Sequence, residues 1–111
     1  MLKYKLYLGD IMRAIERIEK SIKGKNINDF KTNDEMIDST SMRLQIIGES
    51  LGKIDEKLKK KYKINSEKYS QTRNIISHAY FAINHEILWS IIQKDIPILK
   101  RQIEEILARE K

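Results

Sequence analysis

The 111-residue chain carries 22 Lys and Arg against 16 Asp and Glu, a formal charge of +6, with one Pro, four Gly and no Cys. That length makes a single domain over residues 1–111, and the lack of Cys excludes disulfides, thiolate metal sites and a cysteine nucleophile together. The positive excess suits contact with a polyanion through its phosphates. No stretch nears the roughly 18 apolar residues of a membrane span, and Met1-Leu2-Lys3-Tyr4-Lys5 opens without the apolar core of a signal peptide, so the chain is expected in the cytoplasm.

Tyr4, Leu8, Ile11, Ile15, Ile18 and Ile22 recur at steps of four and three, one stripe of a first helix that Gly24 should stop. Such a regular stripe belongs to helix-on-helix packing, in a bundle or a dimer. Thr32-x-x-Glu35 reads as a capping box opening a second helix. In it Met36, Ile37, Thr40, Leu44, Ile47, Leu51 and Ile54 keep helical spacing toward Lys59. Gly48 and Gly52 lie inside that helix, each costing about 1 kcal/mol relative to Ala, which points to close approach of another helix.

Residues 57–70 are polar and carry Lys57, Lys59, Lys60, Lys61 and Lys63 around Tyr62. The run is either a solvated charged loop or a patch that contacts RNA. A third helix is expected from Ser66 or Ser70 through His78. Asn84 reads as the cap of a fourth, with apolar positions Ile87, Leu88, Ile91, Ile92, Leu99, Ile103, Ile106 and Leu107. Pro97 should kink that helix, or restart it with Asp95 near the new N-terminus. No segment alternates with period two, so the expected architecture is an all-α up-and-down bundle of four to five helices.

The chemistry concentrates in Arg73-Asn74-Ile75-Ile76-Ser77-His78-Ala79-Tyr80. A guanidinium grips a phosphate in a two-pronged way and stays charged at any biological pH. An imidazole titrating near neutrality can take a proton from a ribose 2′-OH or give one to the leaving 5′-oxygen. On a straight helix Arg73 and His78, five apart, project about 140° apart. Asn74 shares a face with His78, while Arg73, Ser77 and Tyr80 share another. Either the helix unwinds near Ala79, or two copies meet across a two-fold axis to build a composite site, which is the favoured arrangement. The bland alternatives are a solvated Arg, a satisfied structural His and a packed Tyr. Elsewhere, His85 is expected against Trp89 one turn on, and Glu49 either pairs with Arg43 or Arg73 or faces solvent. His78 and His85, seven apart with no carboxylate motif between, do not suggest a metal site.

Arg73, His78 and Tyr80 resemble the HEPN signature in its narrower HepT form, R-x4-H-x-Y. Tyr80-Phe81-Ala82-Ile83-Asn84 followed by Leu88-Trp89, the segment Arg43-Leu44-Gln45-Ile46-Ile47-Gly48-Glu49, and Pro97 in the last helix are similar to the same family. Two departures are Lys68-Tyr69-Ser70-Gln71-Thr72, where the family often has a Pro and a Trp, and Ser50, where it often has Ala. The resemblance implies a HEPN bundle and a homodimer with two motif copies around one cleft. It implies metal-independent RNA cleavage, with no cofactor, by Arg73 and His78 with Asn74 and Ser77 in support. It also implies the toxin half of a type VII toxin–antitoxin pair, silenced when a minimal nucleotidyltransferase antitoxin of the MntA type transfers AMP onto Tyr80. The competing expectations are a non-catalytic HEPN subunit that binds nucleotide or substrate for a nucleotidyltransferase, and a purely structural dimeric bundle.

Overall fold

A computed structural model describes residues 3–110; Met1, Leu2 and Lys111, and with them the reading of the extreme N-terminus, lie outside the described residues. Helix α1 (Lys3–Ile22) buries Leu8, Ile11, Ile15 and Ile18, the stripe expected of it. It ends where Gly24 takes φ 75°, a left-handed turn that a side chain would resist. A one-turn helix α2 (Ile27–Lys31) follows, and then α3 (Asp34–Gly52), α4 (Glu56–Lys61) and α5 (Ser66–His78). The last long element is composite: α6 (His85–Ser90), a π turn (Ile91–Asp95) and α7 (Ile96–Arg109). The result is the expected all-α bundle of four long segments, with α2 and α4 as short helices in the connections. Among the described residues there is no strand, and no helix is long and apolar enough to cross a membrane.

Helix α3 lies between α1 and α5, and α7 closes the bundle against α1. The core is filled by the α1 stripe, by Leu44, Ile47 and Leu51 of α3, and by Leu99, Ile103 and Ile106 of α7. Burying each such side chain is worth about 1.5–3 kcal/mol. Phe30 of α2 is fully buried against Trp89, ring centroids 5.3 Å apart at 42°, and His85 stands one turn before Trp89 on α6.

Three local expectations are corrected. The Thr32/Glu35 capping box does not form. Thr32 instead ends α2, its hydroxyl donating to the Asn28 carbonyl at 2.8 Å, and Asn33 caps α3 by accepting from the Met36 N–H at 3.0 Å. The capping box present is Asn26 with Asp29, at the start of α2. Second, α3 stops at Gly52 rather than running toward Lys59, because Ile54 turns into the core and Asp55 caps a new helix. Third, the Lys-rich stretch is therefore largely helical, as α4.

The end of the chain follows its signals more closely. Asn84 caps α6, its side-chain oxygen accepting from the Ile87 N–H at 3.0 Å. Pro97 sits in the first turn of α7. A proline ring crowds the carbonyl four residues back and offers no N–H. The widened turn before it, in which the Ile96 N–H reaches the Ile91 carbonyl, lets the helix pass without a break.

Candidate active site

The octapeptide from Arg73 to Tyr80 covers the C-terminal end of α5 and the turn beyond it. Its placement depends on how closely α5 can lie on α3. A Cβ added at Gly48 would stand 2.8 Å from the Tyr69 carbonyl oxygen and 2.9 Å from the Arg73 Cβ. Only glycine admits that contact, so Gly48 seats Arg73 against α3, the close approach expected of it. Gly52 faces open space and has no such role. Arg73 is half-buried, and its Nε is shielded from solvent with no hydrogen-bond partner among the described residues. A buried guanidinium N–H left unpaired is costly.

One turn on, Ser77 accepts a hydrogen bond from the Gln45 amide at 3.1 Å. His78, the last residue of α5, is exposed, as is Asn74 on the same face. The helix stops at Ala79, whose φ −144° and ψ 48° leave the helical region. Tyr80–Ala82 then form a 3₁₀ turn. The unwinding lies beyond His78, so Arg73 and His78 stay on one regular helix, pointing about 140° apart and separated by about 7.5 Å along its axis. A single chain presents Arg73 toward α3 and His78 to solvent at the helix end.

Tyr80 returns to α3, its hydroxyl donating a short hydrogen bond to the Asp38 carboxylate. That hydrogen bond, partial burial and the nearby Asp38 charge raise the Tyr80 phenol above its ordinary pKa. Arg73, Ser77 and Tyr80 thus meet α3 at Gly48, Gln45 and Asp38 in turn, an antiparallel ladder. Asp38 and Gln45 escape a reading of the motif alone. The signal available was their spacing of seven, two turns apart on one face of α3. Next to Tyr80, Phe81 is wholly exposed at 103%, and Ile75 and Ile87 border a groove of about 130 Å³ beside α5. Exposed apolar side chains therefore flank the end of α5.

The basic run is not gathered at this site. Its helix precedes the start of α5, and the 13 residues of α5 separate that end from His78 by about 18 Å. Lys57, Lys60 and Lys63 are exposed, while Lys61 is paired with Glu110 at 2.8 Å. Lys59 is corrected outright: it is 3% exposed, and its ammonium donates to the Leu51 carbonyl at 2.8 Å and to Ser66 at 3.3 Å while pairing with Glu56 at 2.9 Å. It ties the end of α3 to the start of α5 and is out of reach of RNA. Glu49 is exposed, and no ion pair joins it to Arg43 or Arg73 among the described residues.

A family profile described as "Ribonuclease HepT-like" matches residues 11–106. The "Probable ribonuclease HepT" of Thermococcus cleftensis is 32% identical over 104 residues, 93% of this chain and 94% of that protein. A protein of Caldanaerobacter subterraneus subsp. tengcongensis named "Putative RNase" is 31% identical over 106 residues, 95% of each chain. A "Gamma-glutamylcyclotransferase and putative RNase" of Methanocaldococcus jannaschii is 34% identical over 104 residues; there the alignment spans 93% of this chain but only 47% of the relative. No solved structure matches the chain. With its helical bundle, its R-x4-H-x-Y segment and a profile match over most of its length, the chain belongs to the ribonuclease HepT-like family of HEPN proteins.

Proposed function

We propose that this chain is the toxin of a toxin–antitoxin pair, an endoribonuclease whose site is completed by a second copy of itself. The observation that carries the reading is the divergence of Arg73 and His78 on one regular helix, the first with an unpartnered shielded N–H and the second free in solvent. A two-fold axis beside the patch of Ile75, Phe81 and Ile87 would bury that patch and bring Arg73 of each protomer to His78 of the other. His78 takes the proton of a ribose 2′-OH, and the 2′-oxygen attacks the adjacent phosphorus while Arg73 holds the phosphate oxygens. The bond to the 5′-oxygen breaks, the protonated His78 gives its proton to that oxygen, and a 2′,3′-cyclic phosphate remains. No metal ion takes part. Asn74 and Ser77 support the site, Asn74 from the His78 face and Ser77 through Gln45.

Tyr80 is the off switch in this reading. An MntA-type nucleotidyltransferase transfers AMP from ATP to the phenol oxygen, pyrophosphate leaves, and the phenol proton is lost, with Asp38 already placed to receive it. The added phosphate and nucleoside at the rim would block the cleft and offer Arg73 a competing anion. The tests are direct. His78→Ala should lower RNA cleavage about 10²–10⁴-fold with little change in folding. Arg73→Lys, which keeps the charge but loses the planar fork, should also be severely impaired. Cleavage that EDTA abolishes, or that survives in both variants, would contradict the mechanism. If the partner enzyme silences Tyr80→Phe as well as it silences the parent, the tyrosine switch is wrong. The non-catalytic binding subunit is the reading to adopt if the dimeric chain binds nucleotide through Arg73 but leaves RNA intact.

A further inference from the structure

On the other flank of α3 from the motif, a pocket of about 280 Å³ opens between α1 and α3, lined by Asp10, Arg13, Ala14, Arg17, Arg43 and Ile46. Three arginines line it against one carboxylate, and Asp10 is already paired with Arg13. Arg17 and Arg43 have no ion pair among the described residues. Arg13 and Arg17 stand one turn apart on α1, a like-charge spacing that works against the helix. Arg43 is half-buried with its stem beside Ile46. A chain with a formal charge of +6 has no electrostatic reason to concentrate cations further without an anion to hold. Arginine in place of lysine adds the planar two-pronged fork that matches a phosphate.

We propose that Arg17 and Arg43, with Arg13 at the rim, form a binding site for one backbone phosphate of the RNA substrate, separate from the cleavage motif. This deepens the ribonuclease reading and rests on it for the identity of the polyanion. Arg43 and Gln45 sit on opposite flanks of α3, and Gln45 is bonded to Ser77 of the motif. A strand held at the pocket crosses one helix, about 10–12 Å wide with its side chains, to reach the cleavage site. The pocket therefore sets which substrates are long enough to bind well, and it takes no part in the chemistry.

The experiment measures binding of a labelled single-stranded RNA to full-length His78→Ala protein over a series of salt concentrations. The same RNA and a dinucleotide are then followed as substrates of the parent. The R17A/R43A double variant should bind the long RNA more weakly, with a salt slope shallower by about 0.7, the value for one single-strand phosphate. In the cleavage-competent background it should raise KM on the long RNA, leave kcat unchanged and leave dinucleotide cleavage untouched. K94A/R101A removes the same charge from exposed positions elsewhere and should do none of this. Equal effects of the two double variants would overturn the site, leaving only diffuse surface charge. A drop in oligomer mass in R17A/R43A would overturn it too, making the arginines a contact between copies. If the parent fails to cut RNA yet R17A/R43A selectively weakens RNA binding, the phosphate site stands and the ribonuclease reading falls.

Discussion

Gly48 decides whether Arg73 can occupy its place. The atoms that a new Cβ would meet are a backbone oxygen and another Cβ, neither of which can swing aside. Gly48→Ala should therefore push α5 off α3 and destabilise the protein by about 1–3 kcal/mol, despite the better helix propensity of Ala. Gly52→Ala meets open space at the last residue of α3 and should leave stability within about 0.5 kcal/mol of the parent. Thermal unfolding of the two variants side by side checks the contrast. Tyr80 adds a pH signature. Its phenol pKa is raised in the folded state by Asp38, so the contact contributes stability at neutral pH and loses it as pH climbs above the ordinary phenol range. Asp38→Asn should lower the Tyr80 pKa toward that range, read by following the tyrosine signals through an alkaline titration. An unchanged titration would show that the hydrogen bond is not made in solution. The shared face of Arg73, Ser77 and Tyr80 and the tight spot at Gly48 were legible from residue types and spacing. Asp38 and Gln45 were not, because their partners lie 42 and 32 residues away in sequence.

Among elements, the apolar period placed all four long segments, since 3.6-residue spacing reports burial directly. The ends were less legible because several residues compete for each cap. Thr32 could serve as an N-cap in sequence, but its hydroxyl is engaged by the helix before it. Lys59 shows the same limit for charge. A lysine in a basic run looks like a surface cation, whereas its ammonium here is buried and donates to the Leu51 carbonyl at the end of α3, which also accepts from the Ile54 N–H. Lys59→Met keeps much of the buried stem and removes that donor, so it should cost about 1–3 kcal/mol. Lys57→Ala and Lys60→Ala should stay within about 0.5 kcal/mol of the parent. Denaturant midpoints for the three variants separate a structural lysine from its exposed neighbours.

For the whole molecule, the sequence carried the fold class and the family, because both are written in patterns along one chain. The composite site proposed above would be a relation between two chains. It was legible only as a conflict, five residues of separation where a shared phosphate needs both groups together, and the regular α5 through His78 keeps that conflict in place. Beside it, the exposed Phe81, Ile75 and Ile87 offer the apolar surface a second copy would cover. Sedimentation should accordingly give twice the monomer mass, and Phe81→Ser should shift it toward the monomer with loss of cleavage. The most direct measurement mixes two inactive chains. Arg73→Ala and His78→Ala are co-expressed, and RNA cleavage by the mixture is compared with each variant alone and with the parent. If each site takes Arg73 from one protomer and His78 from the other, half the dimers are mixed and each mixed dimer keeps one intact site. The mixture should then recover about a quarter of parental activity. A mixture no more active than its inactive components would contradict a site shared across the two-fold axis.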